Sequence, residues 1–158
     1  MISMLYICTH NRCRSILSEA ITNKLGDQKL KAYSAGSSPS GQVHPLSIQY
    51  LKEHGYETEG LKSQSWDEFS PDLLDEGIDI AITVCDQAAK EACPVWFGKQ
   101  VKLHWGLADP SKVEGSEEDQ KVAFDACIKE IEARVQKMLS FDTSDRESFI
   151  AQIKESLA

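Results

Sequence analysis

Four short apolar runs of strand length alternate with amphipathic segments of helix length, and this alternation constrains the fold more than any other feature. The runs are SMLYIC (3–8), LKAYSAG (30–36), IDIAITVC (78–85) and KQVKLHWGL (99–107). The helical segments lie at 15–26, 44–55 and 115–139, with a weaker one at 143–158. The run at 78–85 is almost continuously apolar, which is typical of a strand covered on both faces. The alternation predicts a three-layer α/β fold, in which a parallel sheet lies between helices.

The long helical segment at 115–139 carries clear signals for its start and for its buried face. Ser116, with Asp119 three residues later, predicts a cap at its N-terminus. We expect its apolar stripe to pack on the core; the stripe comprises Val122, Phe124, Ala126, Ile128, Ile131, Val135 and Leu139.

Length and charge narrow the classes of function. A chain of 158 residues has the size of one domain, which we place at 1–158 with a C-terminal helical extension at 141–158. Its 17 basic and 25 acidic residues give a net charge of −8, which argues against nucleic acid as a partner. No apolar run approaches the roughly 20 residues of a membrane span, so no membrane association is expected. No basic region precedes the first apolar run, so we expect a cytoplasmic protein with reduced cysteines.

Three polar loops follow strands and are expected to share one edge of the sheet. CTHNRCRS (8–15) follows the first run, CDQAAKEAC (85–93) the third, and LADPS (107–111) the fourth. Open α/β sheets bind ligands at the carboxyl ends of their strands. This edge is therefore the predicted site.

The octet at 8–15 has the residues of an anion-binding loop with a nucleophile. Cys8 and Arg14 have five residues between them, and a helix is expected to begin at about Ser15. Backbone N–H groups and the helix dipole attract an anion at such a position, and a guanidinium can bind two oxygens of a tetrahedral anion. The same positive field lowers the pKa of a thiol and favours thiolate attack on phosphorus or arsenic. The alternative is a plain strand–helix turn with a buried cysteine and a surface arginine.

Three further residues near these loops have two interpretations each. The Ser15 hydroxyl can hydrogen-bond the thiolate, or it can cap the helix that follows. Asn11 suits a left-handed turn position that braces the loop. Asp109, in an Asp-Pro pair, can act as a general acid above the pocket, or it can simply form a turn.

The remaining cysteines give no sign of a metal site. Cys85 and Cys93 are eight positions apart, which is not zinc-ligand spacing, and no second pair exists. We expect Cys13 and Cys127 to be buried small apolar residues.

Several motifs together resemble one known family. CTHNRCRS followed by ILSEA, YSAGSSPSGQVHP, ITVCDQAAKEACPVWFG and LHWGLADPS is similar to arsenate reductases of the low-molecular-weight tyrosine phosphatase fold, over roughly residues 3–139. The resemblance implies a four-stranded parallel sheet flanked by helices, with a phosphate-binding loop after the first strand. It also implies a role in arsenical resistance.

The resemblance also implies roles for individual residues. Cys8 would be the nucleophile, Asp109 the general acid, and Cys85 and Cys93 redox cysteines. Ser15 would support the thiolate. The oxyanion, arsenate or another tetrahedral anion, would be bound by the loop residues Thr9, His10, Asn11, Arg12, Cys13, Arg14 and Ser15.

By this resemblance the reducing electrons come from thiols, with no bound cofactor. One route forms a Cys8–Cys85 disulfide, which Cys93 then moves outward for a thioredoxin to reduce. In the other route glutathione resolves the adduct and a glutaredoxin follows. The eight-residue spacing is about one residue wider than we expect of thioredoxin-coupled members, and the segment at 85–98 looks more like glutathione-coupled ones.

The chain departs from the family pattern at the octet and after Asp109, and two other functions stay open. His10 and Arg12 stand where small residues are usual, and Ser111 and Lys112 replace a tyrosine that phosphatases usually carry. A phosphatase acting on phosphomonoesters would use Cys8, Arg14 and Asp109 but would not need Cys85 or Cys93. A non-enzymatic module that binds an oxyanion and senses redox state is the other alternative.

Overall fold

A computed structural model describes residues 2–65, 78–84 and 101–157 of the chain. The predicted redox cysteines, Cys85 and Cys93, therefore lie outside the described residues. The elements, in chain order, are β1 (Ile2–Ile7), α1 (Arg14–Gly26), β2 (Leu30–Ala35), α2 (Pro45–Glu53), β3 (Ile80–Thr83), β4 (Val101–His104), a 3-10 helix (Pro110–Lys112), α3 (Glu117–Leu139) and α4 (Arg146–Leu157).

The strands form one parallel sheet in the order β2-β1-β3-β4. Ile7 at the end of β1 is in register with Ala35 of β2 and with Thr83 of β3, and Thr83 is in register with His104 of β4. The carboxyl ends of all four strands are therefore level. The predicted four-stranded parallel sheet flanked by helices is confirmed, and the loops after β1 and β4 leave the sheet at one edge.

The two central strands are buried along their length. Met4, Leu5 and Ile7 of β1 are at most 1% exposed, and Ile80 and Ile82 of β3 are fully buried. This burial explains why the run at 78–85 lacks polar alternation. The strand itself is shorter than that run, and just before it the Asp79 carboxylate accepts a hydrogen bond from the Ser3 N–H at 2.9 Å.

The N-terminus of α3 has the predicted cap. The Ser116 hydroxyl accepts a hydrogen bond from the Asp119 N–H, and the Asp119 carboxylate accepts one from the Ser116 N–H. The apolar stripe was only partly predicted, since Val122 is 60% exposed and Ala126 is also exposed. These two residues lie on a different helical face from the buried residues Phe124, Cys127, Ile128, Ile131, Val135 and Met138.

The C-terminal helix α4 packs on the core. Phe149 and Ile153 are fully buried, and the Phe141 and Phe149 rings meet edge to face with centroids 6.0 Å apart. Arg146 donates a hydrogen bond to Asp79 beside β3 at 2.7 Å. The division of the chain into one domain with a C-terminal helical extension at 141–158 stays a prediction. None of the described helices is long and apolar enough to cross a membrane.

Candidate active site

The loop from Cys8 to Cys13 is held from outside through its carbonyl oxygens. The carbonyl oxygens of Thr9, His10 and Arg12 accept hydrogen bonds from backbone N–H groups of the segment 38–44, with N···O distances of 2.9 to 3.0 Å. The peptide bonds are trans, so each N–H that follows one of these carbonyls points the opposite way. Three N–H groups of the loop therefore point away from the segment 38–44.

Gly36, directly after β2, allows this close approach of the two loops. A Cβ atom at this position would lie 2.5 Å from the carbonyl oxygen of Thr9 and 2.7 Å from that of Cys8. Both contacts are to backbone, which cannot move aside as a flexible side chain can. Glycine is the residue that fits here.

Asn11 braces the loop from within. It is fully buried and has the predicted left-handed backbone, with φ of 47°. Its side-chain amide donates to the Ser15 hydroxyl at 2.8 Å, and its oxygen accepts from the Gln64 N–H at 2.8 Å. Because the Ser15 oxygen is the acceptor, the Ser15 hydroxyl proton stays available for another acceptor.

Of the interpretations of Ser15, the helix cap does not hold. The helix begins at Arg14, with Cys13 in the capping position and no side-chain cap hydrogen bond. Ser15 lies inside the first turn and is fully buried. The Ser15 oxygen accepts a hydrogen bond from the Asn11 amide, so Ser15 does not cap the helix.

Arg14 and Asp109 meet, although 95 positions separate them. Arg14 donates from Nη1 to the carbonyl oxygen of Leu107 at 3.1 Å and from Nη2 to Asp109 Oδ2 at 3.4 Å. Asp109 Oδ1 accepts from both the N–H and the hydroxyl of Ser111, at 2.9 and 2.6 Å. The buried Nε of Arg14 has no hydrogen-bond partner among the described residues. An unpaired buried donor is costly, so this atom is suited to bind an anion.

Cys8 and Arg14 line one small cavity of about 170 Å³. Its other lining residues are His10, Arg12, Cys13, His44, Asp109, Ser111 and Lys112. A larger cavity of about 740 Å³ lies between α1 and residues 55–61, but it is lined by neither thiol nor arginine. The smaller cavity is therefore the candidate active site.

The three thiols of the described residues, Cys8, Cys13 and Cys127, are all buried. Cys13 is 3% exposed, and burial raises its pKa to about 12. Cys127 of α3 is also buried, and its pKa is raised to about 11, again mainly by burial. Both side chains are protonated at neutral pH and lie within the core cluster, as predicted.

The two unusual octet residues lie at the mouth of the cavity. His10 and Arg12 are both exposed, and the His10 ring nitrogen Nδ1 lies 3.1 Å from the carbonyl oxygen of Ser38. His44 caps α2 with its Nδ1, which accepts from the Leu46 N–H at 3.1 Å. Burial, and then the charge of Arg12, lower the pKa of His44. His44 is thus held neutral at this mouth.

Cys85 and Cys93 lie outside the described residues, but the residue before Cys85 is described. Val84 donates its N–H to the carbonyl oxygen of Ile7 at 2.9 Å and accepts from the Leu107 N–H at 2.9 Å. The chain thus enters the segment 85–100 between the end of β1 and the loop of Asp109. In the described part of the chain, no group of three metal-ligating side chains comes together.

The sequence did not identify several residues that build this site. Leu107 and Gln64 contribute backbone atoms, and Arg134 of α3 bonds the carbonyl oxygens of Trp105 and Gly106, at 2.9 and 2.8 Å. Backbone contacts carry no side-chain signature. Only Gly36, at the end of a strand, had a recognisable sequence signal.

The chain matches known proteins over nearly its whole length. A family model described as low molecular weight phosphotyrosine protein phosphatase matches residues 3–155, which includes most of α4. The arsenate reductase of Bacillus licheniformis is 35% identical over 133 residues, covering 84% of this chain and 91% of that protein. The arsenate reductase of Bacillus subtilis is 30% identical over 132 residues, with 84% and 91% covered.

Solved structures agree with the fold. An arsenate reductase from Archaeoglobus fulgidus superposes with a TM-score of 0.69 at 26% identity, covering 87% of this chain and 98% of that chain. A thioredoxin-dependent arsenate reductase of Corynebacterium glutamicum gives 0.65 at 24% identity, with 89% and 61% covered. The chain therefore belongs to the low molecular weight phosphotyrosine protein phosphatase family, and it is similar over most of its length to arsenate reductases within that family.

Proposed function

We propose that this chain reduces arsenate to arsenite, with Cys8 as the nucleophile. The observation that carries the proposal is the cavity that Cys8 shares with Arg14 at the carboxyl end of β1, in a chain 35% identical to an arsenate reductase.

The loop from Cys8 to Ser15 is proposed to bind the oxyanion. Its inward N–H groups and the N-terminus of α1 supply partial positive charge. The unpaired Nε of Arg14 adds a charged donor. Arg12 and Lys112 at the mouth make the site cationic, although the whole chain carries a net charge of −8. This local charge favours an anionic substrate.

The first step forms a covalent adduct. The Cys8 thiolate attacks arsenic, a sulfur–arsenic bond forms, and one arsenic–oxygen bond breaks. The departing oxygen takes up protons and leaves as water, with Asp109 as the proposed proton donor. Arsenic remains As(V) in this step. The hydrogen bond from the Arg14 guanidinium to Asp109 supports this assignment, because it places the acid beside the anion-binding group.

The second step reduces arsenic. A second thiolate attacks the Cys8 sulfur, a sulfur–sulfur bond forms, and the sulfur–arsenic bond breaks. Its electron pair stays on arsenic, which leaves as arsenite, As(III). Two thiols are oxidised to one disulfide, so the two electrons balance.

The second thiol is proposed to be Cys85, with glutathione as the alternative. What supports Cys85 is the position of Val84, which is bonded to Ile7, next to Cys8 in the chain. Cys93 would then attack Cys85, and a thioredoxin would reduce the final disulfide; after glutathione, a glutaredoxin would do so. A thiol donor fits a cytoplasmic location, where thiols are kept reduced.

The hydrolase alternative rests on the family name and on Asp109. A phosphatase of this fold would leave Cys85 and Cys93 without a role. Ser111 bonds Asp109 and Lys112 is charged, so an apolar wall for an aryl ring is not what these positions supply. Reduction is therefore the better-supported function.

The test is arsenite release from arsenate with three donor systems: thioredoxin with its reductase, glutathione with glutaredoxin, and no donor. We expect wild type to release arsenite with at least one donor, and Cys8→Ser to release none. If Cys93→Ser loses activity with the thioredoxin system but keeps it with glutathione and glutaredoxin, the disulfide relay is identified. Cys127→Ser, at a buried thiol that does not line the cavity, is the matched control and should retain activity.

Two outcomes overturn the proposal. One is a wild-type protein that releases no arsenite with either donor. The other is hydrolysis of an aryl phosphate that is unchanged in Cys85→Ser, in a protein that does not reduce arsenate; this result favours the phosphatase.

A further inference from the structure

The loop that carries Asp109 is held by a second arginine, Arg134, which lies on α3 outside the cavity. Arg134 donates from Nη1 to the carbonyl oxygen of Trp105 at 2.9 Å and from Nη2 to that of Gly106 at 2.8 Å. Its Nε donates to Glu130 at 3.0 Å, and its guanidinium lies 5.0 Å from the Trp105 ring centroid. Each nitrogen of the guanidinium therefore has a defined partner.

The same loop is what Arg14 bonds. Leu107, the residue after Gly106, accepts from Arg14 Nη1 at 3.1 Å, and Asp109 accepts from Arg14 Nη2. Arg134 thus bonds the first two carbonyl oxygens of the segment 105–109, and Arg14 bonds Leu107 and Asp109 further along the same segment.

β3 completes this arrangement. The Trp105 N–H bonds the carbonyl oxygen of Thr83 at 2.8 Å, and the Leu107 N–H bonds that of Val84 at 2.9 Å. The N–H groups of the loop thus bond β3 and the residue after it. The carbonyl oxygens of Trp105 and Gly106 bond Arg134.

We infer that Arg134 is a positioning residue, which orients Arg14 for oxyanion binding through the loop 105–109. The inference rests on the proposed function of the cavity. With Nη1 and Nη2 each bonded to the loop, the guanidinium of Arg14 is held in one orientation, and its Nε is buried and unpaired among the described residues. Loss of the Arg134 contacts frees the loop, and Arg14 loses its fixed orientation. A donor that must be reordered on binding gives weaker affinity than a preorganised one.

The test measures arsenate and phosphate dissociation constants by calorimetry, in a Cys8→Ser background that cannot turn over. We expect Arg134→Gln to weaken binding about threefold to thirtyfold, and Arg134→Lys to weaken it less, since one ammonium can still reach a carbonyl. In an Arg14→Lys background, Arg134→Gln should change the constant less than about twofold, because the group it positions is gone.

Arg146→Gln is the matched control. Arg146 also bonds a carboxylate and a backbone carbonyl, both of Asp79, but at the opposite end of β3. We expect it to cost stability without changing anion affinity. Thermal unfolding of every variant verifies that each is folded.

The outcomes separate this inference from the proposed function. A Cys8→Ser protein with no other substitution that binds neither anion contradicts the proposed function. If that protein binds, a folded Arg134→Gln variant that binds equally well overturns the positioning role alone. The positioning role is also overturned if Arg134→Gln weakens anion binding equally in the Arg14 and in the Arg14→Lys background. The two arginines would then act independently.

Discussion

Two cysteines five positions apart in one loop have different surroundings. Both line the cavity, but Cys13 also lies in the capping position of α1, with Ser47 and Asp109 among its neighbours. Burial dominates the pKa of Cys13, and it outweighs the opposing charge of Arg14. At the scale of the residue, burial therefore keeps Cys13 protonated at neutral pH, so Cys13 is not the candidate nucleophile.

Raised thiol pKa values make stability depend on alkaline pH. Cys127 has a pKa of about 11 when folded, against roughly 8.5 in an unfolded chain. Between these values the unfolded state has lost the proton and the folded state has kept it, so stability is full below about pH 8.5 and falls as pH rises. We expect Cys127→Ala to remove about 1.4 kcal/mol per pH unit from the slope between pH 9 and 11, measured by urea unfolding. An unchanged slope would contradict the burial of this thiol.

Asn11 should matter for both stability and binding. Asn11→Ala leaves the Gln64 N–H and the Ser15 hydroxyl without their bonds and places alanine in a left-handed conformation. We expect a loss of about 2–4 kcal/mol in the free energy of unfolding, and phosphate affinity about tenfold weaker.

Asn23→Ala is its control, because the Asn23 amide also makes two bonds, to the N–H and carbonyl of Ala32 on β2. It should lower stability while leaving phosphate affinity unchanged. Equal effects of both variants on affinity would show that Asn11 does not shape the loop.

At the scale of elements, the site is an assembly of loops rather than of helices and strands. The loop after β1 is held by the segment 36–44, and the loop after β4 by β3 and α3. Level strand ends bring these loops to one edge. The spacing between Cys8 and Arg14 allows one loop to hold both a thiol and an anion-binding guanidinium. The order of the strands decides which other loops lie beside it.

Gly36→Ala tests the contact between the β2 loop and the octet. The added methyl group would overlap two backbone oxygens, so the octet must shift. We expect phosphate affinity to fall by about tenfold or more, together with a stability loss of about 1–3 kcal/mol. Isothermal titration and urea unfolding measure the two quantities.

Gly41→Ala is the comparison, because Gly41 has a positive φ of 82° with open space around its Cα. It should cost about 1 kcal/mol of stability from backbone strain alone, with affinity unchanged. The packing argument fails if Gly36→Ala binds phosphate as well as Gly41→Ala does.

At the scale of the whole molecule, α4 packs into the same core as the sheet. Phe149 is fully buried, so Phe149→Ala should lower the free energy of unfolding by about 3–5 kcal/mol in one cooperative transition. Gln152→Ala, a half-buried neighbour on α4, should cost much less. A Phe149→Ala protein that unfolds at the wild-type urea concentration would mean that 141–158 is an independent extension.

The sheet was predictable because apolar periodicity reports burial directly. The central strand at 80–83 and the cap at Ser116 follow from local pattern. The octet is also a local pattern, because its residue types and their spacing were enough to suggest its proposed chemistry. The sequence left Ser15 with two interpretations, because its hydroxyl partner, Asn11, is fixed by three-dimensional contacts.

Long-range contacts to backbone were not predictable. Arg134 bonds carbonyl oxygens 28 and 29 positions away, and such acceptors have no residue-type signal. Val122 has apolar character but lies on the exposed side of α3. Sequence pattern therefore pointed to the proposed reacting groups, whereas the proposed positioning residue, Arg134, required the fold.

The stoichiometry of thiols to arsenite tests the central claim most directly. Fully reduced protein is mixed with arsenate, with and without glutathione, and released arsenite and remaining thiols are counted, while peptide mass spectrometry locates the disulfide. We predict two thiols lost per arsenite released, and no arsenite from Cys8→Ser. In Cys93→Ser, where the disulfide cannot move on, we expect it to include Cys8. Arsenite formed without loss of any thiol, or formed equally by Cys8→Ser, would contradict the account.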